Sequence, residues 1–387
     1  MQRIVQLMML LIKSEITEDT VDFQEFLPIT EETLKKLYIL SSKHSVEQIV
    51  GTALKKNSFL SDSEISKQFE KKILLSVVLY ERMNAELQNI KNILENANIP
   101  YLPLKGARIR SMYPEPYYRS SCDIDVLVPQ TDVEKAEKIF IEKYNYTLRV
   151  HNYHDISLFS PHGIHLELHF SIQENMANID QLLSKVWEYS VPLNKNDTHE
   201  YQQTNEYFVF HNLAHMAYHF VHGGCGVRPF IDVYLLLKNF SFDQDTVRQY
   251  CSICEIETFY DQVIELIDVW FNGKTHTSTT KAMEDYVISG GVFGTEKNRI
   301  TVERAKNGSK ARYLLKRIFM PYNTLKLRYP IIEKYKFLTP FYEIVRWFSM
   351  LFHGKLKRSL SEAKVNQNID ASNTTSISNL LDELGLH

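Results

Sequence analysis

The strongest constraint on this chain lies in two short runs that alternate polar with branched apolar residues. They are Asp123-Ile-Asp-Val-Leu-Val128 and Ile164-His-Leu-Glu-Leu-His-Phe170. Side chains on a strand point to opposite faces in turn. In the first run Asp123 and Asp125 share one face, with Cα atoms about 6.6 Å apart at the usual strand rise. Ile124, Val126 and Val128 share the other face. In the second run His165, Glu167 and His169 face one way, and Leu166, Leu168 and Phe170 the other. Both runs predict strands with an apolar back and a polar row in front. A sheet built from them buries one face and offers the other to a cleft.

Around these runs the apolar period becomes helical. Residues 1–98 read as helical, and Ser63 to Ala97 carries apolar residues such as Ile65, Phe69, Met83, Leu87 and Ile90 at helical spacing until Pro100 stops it. A short strand, Tyr101 to Leu104, precedes a short helix from Ala107 to Met112 and a loop holding Pro114 and Pro116. Thr131 or Asp132 can cap a helix running to about Tyr144. Further strands are expected at Tyr146 to Val150 and Asp155 to Phe159, the latter turning through Ser160-Pro-His-Gly163. Helices are then expected at Met176 to Tyr189, Asn205 to Val221, Pro229 to Phe240, Asp243 to Cys254 and Thr258 to Phe271. There is no internal repeat. The expected fold is α+β, with a small mixed-sheet core, 99–172. A helical region, 1–98, and a helical domain, 173–296, flank it. A basic, aromatic, Pro-interrupted helical segment, 297–358, and a mobile tail, 359–387, follow. Within that tail the apolar patch Ile377 to Leu386 is a candidate for docking.

Composition narrows the class. With 44% apolar and 24% charged residues the chain is neither disordered, nor collagen-like, nor a coiled coil. The net charge of −3 is a sum of unlike parts: Lys297 to Arg358 holds sixteen basic and three acidic residues. Four cysteines in 387 residues form no disulfide framework. The apolar run Leu7 to Ile12 is too short for a membrane span, which needs about 20 residues. It also lacks a small-residue cleavage site, so an amphipathic first helix and a cytoplasmic location are expected.

Two carboxylates converging on one spot repel unless a cation lies between them. Asp123 and Asp125, with Glu167 as a third, therefore suit Mg²⁺, which is held by a few carboxylates together with substrate phosphates. Leu104-Lys-Gly-Ala107 reads as a strand ending, a glycine allowing close approach and a helix beginning. Such a turn offers free N–H groups to an anion, and Lys105 adds a formal charge.

These stretches, together with Tyr118-Arg119, resemble the nucleotidyltransferase superfamily of polymerase-β-type fold, and in particular its uncharacterised bacterial branch. A looser match is the downstream His-rich helix with Arg228 and Asp232. The resemblance implies that Asp123, Asp125 and Glu167 hold two Mg²⁺ ions and that the Gly106 turn binds the phosphates of an NTP. A substrate hydroxyl would attack the α-phosphate and pyrophosphate would leave, the two-metal pattern of in-line displacement. Glu167 could also accept the hydroxyl proton. Lys105 would neutralise phosphate charge, and Arg119 is a candidate phosphate clamp. One departure stands out: the family commonly has a hydroxyl or a second glycine after the turn glycine, where this chain has Ala107.

Other signals carry competing readings. His165, Glu167 and His169, joined by His151 or His154, would suit zinc or iron. His211, His215 and His219 form one helical stripe; the plain reading is satisfied, partly buried imidazoles, with His215 and His169 as candidate substrate contacts. Arg228 and Asp232 are four apart, so they either pair with each other or meet substrate. Cys251 and Cys254 are expected as buried thiols. The expected partners are an NTP and a hydroxyl of a small molecule or protein, with no stable nucleic acid. The segment 297–358 is a candidate for peripheral contact with a membrane surface. The rival reading is a catalytically degraded scaffold acting through that basic segment.

Overall fold

The structure is a computed structural model describing residues 2–17, 19–194, 198–291, 296–307, 319, 322, 325, 329, 331–352 and 371–386. The fold is α+β. It opens with helices α1 (Gln2–Ile16), α2 (Glu31–Lys43) and α3 (Glu47–Lys56). The apolar side of α1, including Leu7, Met8, Leu11 and Ile12, is fully buried, as its amphipathic pattern predicts. No described helix is long and apolar enough to cross a membrane.

Helix α4 (Glu64–Asn96) is the long connector. Ser63 caps it by accepting a hydrogen bond from the Ser66 amide. Its first turns bury Ile65 and Phe69 in the larger of two apolar cores. Its last turns bury Met83, Leu87, Ile90, Ile93 and Leu94 in the smaller one, behind the sheet. One helix thus ties both cores together.

The sheet has five strands: β1 (Leu102–Pro103), β2 (Asp123–Leu127), β3 (Thr147–His151), β4 (Asp155–Phe159) and β5 (His165–His169). Their order is β1-β2-β5-β4-β3. Only β2 and β5 run parallel; the other neighbours are antiparallel. Between β1 and β2 lies the single-turn helix α5 (Gly106–Ile109), and between β2 and β3 helix α6 (Val133–Tyr144). No side chain caps α6, although Asp132 stands at the cap position. Ile124, Val126, Leu166 and Leu168 bury the back of the sheet against α4 and against Val133, Ala136 and Phe140 of α6. Each such apolar side chain stabilises the fold by roughly 1.5–3 kcal/mol.

The stretch Met176 to Tyr189 is not one helix. Helix α7 (Ala177–Leu183) ends early, and the chain continues into a hairpin of β6 (Ser190–Pro192) and β7 (Tyr201–Gln203). The hairpin is anchored on the start of the core: the Tyr101 amide donates to the His199 carbonyl and the Tyr201 amide to the Tyr101 carbonyl. Local periodicity does not encode that long-range pairing. Helices α8 (Asn205–Val221), α9 (Arg228–Asn239), α10 (Gln244–Ile253), α11 (Glu257–Phe271) and α12 (Ser278–Gly290) follow. α8 is buried on almost every side and lies at the centre of the larger core. Cys251 and Cys254 are free and buried.

After α13 (Glu296–Asn307) much of the basic segment, including Lys310, Arg312, Lys316 and Arg317, lies outside the described residues. The described part holds α14 (Ile331–Lys334) and α15 (Thr339–Phe352). In the terminal segment expected to be mobile, residues 371–383 instead form α16 (Ala371–Glu383). Leu380, Leu381, Leu384 and Leu386 are buried in the larger core, and that burial offsets the entropy of ordering the segment.

Leu168 is fully buried between the sheet and its helices. Leu168→Ala is expected to lower unfolding free energy by about 2–5 kcal/mol. Leu148→Ala, on the exposed edge strand, should change it by about 0.5 kcal/mol or less. Urea denaturation of both variants checks the assignment.

Candidate functional site

The parallel register sets Asp123 beside His165, Asp125 beside Glu167 and Leu127 beside His169. Five polar side chains therefore stand on one sheet face, as the alternation predicts. They form two donor groups, Asp123–His165–Glu167 and Asp125–Glu167–His169, whose ligating atoms lie within 4.8 Å of one another. Glu167 belongs to both. His165 also hydrogen bonds to Ser157 Oγ at 2.7 Å. His151 is elsewhere, paired with Glu137 at 2.8 Å. His154 stacks on His169 with ring centroids 5.4 Å apart.

The charges on this face are unbalanced. Burial and the charges of Asp125 and Glu167 push the Asp123 carboxyl up to about 6. Burial also opposes charge on Asp125, yet the His169 hydrogen bond and the positive charges of His169 and Lys105 hold it well below the usual carboxylate range. His169 Nε2 lies 3.4 Å from both Asp125 Oδ1 and Glu167 Oε2. Burial works against its protonation, but those two carboxylates raise it to about 9. Its Nδ1 is buried without a partner. The crowded carboxylates favour positive charge on this face, from a protonated His169 or from a divalent cation that would replace that proton, and the donor set fits such a cation. The carboxylates alone offer the hard oxygens Mg²⁺ prefers, and the imidazoles add donors suited to softer ions.

The polar face looks into a cavity of about 320 Å³, closed by α5, α8 and α9. Lys105 lies in its wall with φ +20°, where a residue with a side chain is strained. Burial lowers the Lys105 pKa, and the charges of Glu174 and Asp125 oppose that. The expected phosphate cradle is smaller than the sequence implied. α5 is a single turn, and the Ala107 amide is already bonded to the Leu104 carbonyl.

Arg119 is placed differently from the expected clamp. Its Nε and Nη2 donate to Asp232 Oδ1 and Oδ2, both at 2.9 Å. Tyr113 completes the site by donating to Asp232 Oδ1 at 2.7 Å. The pair is buried, and burial opposes the Arg119 charge while Asp232 raises its pKa. Gly106 is needed here, because a Cβ on it would lie 2.8 Å from Arg119 Nη1. Asp232 is therefore held by Arg119, and of the two readings open for Arg228 and Asp232 their i,i+4 pairing does not form. Arg228 instead donates from Nη1 to the Ser120 carbonyl at 2.7 Å, and its buried Nε has no partner. Arg110, Arg119 and Arg228 all line the cavity with Lys105, Arg119 with its Nε and Nη2 held by Asp232.

The histidine stripe of α8 forms another wall. His211, buried, bonds to Gln203 at 3.1 Å. His215 Nδ1 meets Glu174 Oε1 at 2.5 Å, and His215 Nε2 meets His219 Nε2 at 2.9 Å. Burial opposes charge on Glu174, but the His215 hydrogen bond holds it at about 2. Burial and the nearby Lys105 charge lower His215. Burial and His215 bring His219 down to about 2. The chain is a carboxylate with two neutral imidazoles. Glu174 was missed in the sequence because it follows β5 in a loop with no periodic signal; its spacing from Glu167 gives no hint of His215.

Comparisons with known proteins bear on this geometry. A family model described as "Uncharacterised nucleotidyltransferase" matches residues 30–272. No curated protein matches the chain. Among solved structures it is similar to "Thermotoga maritima CCA-adding enzyme complexed with tRNA_CCA", at 9% identity. That match covers 78% of this chain and 82% of the other, with a TM-score of 0.23, too loose an overlap to support an argument.

Two predictions follow from these contacts. Asp232→Ala leaves Arg119 buried and unpaired and should cost about 3–5 kcal/mol in denaturant unfolding. Gly106→Ala must push a guanidinium that Asp232 holds in place, and should cost about 1–3 kcal/mol. Near-native stability of Asp232→Ala would mean that the pair is not a structural tie. The third concerns pH. A raised carboxyl pKa favours the fold at acidic pH, and Asp123's contribution is lost as pH rises through about 6. A cation must displace the same proton, so thermal stabilisation by Mg²⁺ or Mn²⁺ should grow between about pH 5 and 7.5. Equal stabilisation across that range, or undiminished stabilisation of Asp123→Asn at pH 7.5, would contradict the placement.

Proposed function

The chain belongs to the uncharacterised nucleotidyltransferase family, and from that premise we propose that it moves an NMP from an NTP to a hydroxyl of a small molecule or protein. The reading is supported above all by the register of β2 on β5, which sets three carboxylates side by side on the floor of a cavity. Asp123, Asp125 and Glu167 would hold the divalent cation, Mg²⁺ in the first instance, which when bound polarises the α-phosphate and the attacking oxygen.

The chain's own groups supply the rest. Lys105, Arg110 and Arg228 line the cavity as the positive wall that would receive the triphosphate. Arg119 acts through them as a support, since Asp232 occupies its fork. On the other wall, Glu174 accepts from His215 Nδ1, so His215 Nε2 accepts from His219 Nε2 and His219 Nδ1 keeps a lone pair. With His219 held at about 2 that neutral chain can only hydrogen bond to the acceptor and orient it, and Glu167 would accept the acceptor's proton. The acceptor oxygen then bonds to the α-phosphorus, the bond from that phosphorus to the β-phosphate oxygen breaks, and pyrophosphate leaves. A cavity roofed by α8 and α9 suits a small acceptor or one protruding side chain better than a nucleic acid. The free cysteines suit a reducing, cytoplasmic setting.

The scaffold reading keeps one observation in its favour: Ala107 has no hydroxyl for a phosphate, and its amide is already used. Labelled NTPs with Mg²⁺ or Mn²⁺ separate the two. Wild-type protein should bind NTP and release pyrophosphate in the presence of lysate metabolites. Asp125→Asn should lower the rate on the order of 100-fold or more while remaining folded. His215→Gln, which breaks the bond to Glu174 that orients the pair, should lower it by about tenfold with NTP affinity unchanged. Absence of NTP binding by the wild type would favour the scaffold; undiminished NTP·Mg²⁺ binding by Asp123→Ala/Asp125→Ala would remove the metal assignment. Stoichiometric zinc lost on His165→Ala would replace magnesium with the imidazole-rich site.

A further inference from the structure

Helix α15 is turned the wrong way round for a helix that serves only a protein core. At about 100° per residue, Phe341, Ile344 and Phe348 fall within an arc of about 60°, and Glu343 and Arg346 lie on the opposite side. In a surface helix the apolar arc faces the core and the charged arc faces water. Here Phe341 is 58% exposed, Ile344 46% and Phe348 56%, while Glu343 is 6% and Arg346 3% exposed. The inward pair is satisfied, Arg346 Nη2 meeting Glu343 Oε2 at 2.8 Å. The apolar arc is extended by Phe337, 77% exposed, and by exposed Tyr335 and Ile331 on the preceding turns. Keeping these rings in water opposes the hydrophobic effect, whereas the buried ion pair fixes which side of the helix faces the protein.

We propose that this face docks in the plane of an anionic lipid surface. Two observations select that occupant. Lys334 and Lys336 are exposed beside the arc, with Glu333 as their exposed acidic neighbour, and the sequence from 297 to 358 holds sixteen basic residues against three acidic. Anionic headgroups attract such clusters, and aromatic rings insert at the headgroup boundary. Second, no described helix can cross a membrane, so contact is in the plane. A groove on another protein would need a matching acidic rim, and RNA would use rings to stack bases but gains nothing from the exposed Ile331 and Ile344. The inference is independent of the transfer chemistry.

The test is co-sedimentation of the full chain with vesicles of phosphatidylserine and phosphatidylcholine, and with phosphatidylcholine alone. Wild-type protein should bind the anionic vesicles, less at high salt, and the neutral ones weakly. Phe341→Ala/Phe348→Ala should lower the partition coefficient about tenfold or more. Lys334→Glu/Lys336→Glu should lower it mainly on anionic vesicles. Both substitutions replace exposed side chains, so thermal melts should match the wild type. No binding to anionic vesicles at low salt, or equal binding by the phenylalanine variant, overturns the proposal. So does a concentration-dependent dimer that the phenylalanine variant abolishes without any vesicle binding, which would assign the face to a second copy. Binding to RNA alone, unaffected by that variant, overturns it as well.

Discussion

The lateral register between β2 and β5 is the constraint on which the site depends. These two strands are the only parallel neighbours in the sheet, and they align Asp125 with Glu167. A slip of β2 by one residue would turn Asp123 and Asp125 toward α4 and α6 and expose Ile124 and Val126. Burying two carboxylates without partners costs far more than the apolar contacts return. The back of the sheet, filled by Ile124, Val126, Leu166 and Leu168, therefore enforces the arrangement of the front. Packing on one side specifies the chemistry on the other.

The front carries the consequence as electrostatic tension. Three carboxylates crowd one face, one of them with a raised pKa, and an imidazolium partly compensates. Lys105, Arg110 and Arg228 line the same cavity, and among the described residues none of them forms an ion pair with these carboxylates. The cavity thus separates a negative floor from a positive wall, with space between for groups that carry both kinds of charge. A metal-bound phosphate chain is such a group. The Arg119–Asp232 pair ties the loop before β2 to α9 within this cavity, and Arg119 packs directly against the Gly106 turn.

Much of this was legible before folding. Period-two alternation located β2, β4 and β5, and the helical period located α8, α9, α10 and α11 to within a residue or two. Those elements bury one face each, so their patterns are strong. The misread places share a different cause. α7 stops early because residues 190–203 pair as a hairpin that docks on Tyr101, far away in sequence. Arg119 is not a free clamp because Asp232 reaches it from 113 residues downstream. Glu174 meets His215 across 41 residues. The terminal apolar patch docks as its sequence suggested, and only the fold shows that it does so against α12 and α13.

The amino-acid order by itself determined which residues share a face, because strand and helix geometry translate spacing directly into direction. It settled that Asp123, Asp125 and Glu167 are on polar strand faces and that His211, His215 and His219 form one stripe. Only the tertiary structure decided which of these groups meet. It joined Asp232 to Arg119 rather than Arg228, gave His215 its carboxylate, and turned the phenylalanines of α15 outward. The physical reason is that pairing between charged groups depends on distances across the fold, and many partners within one sequence are chemically equivalent until packing selects among them.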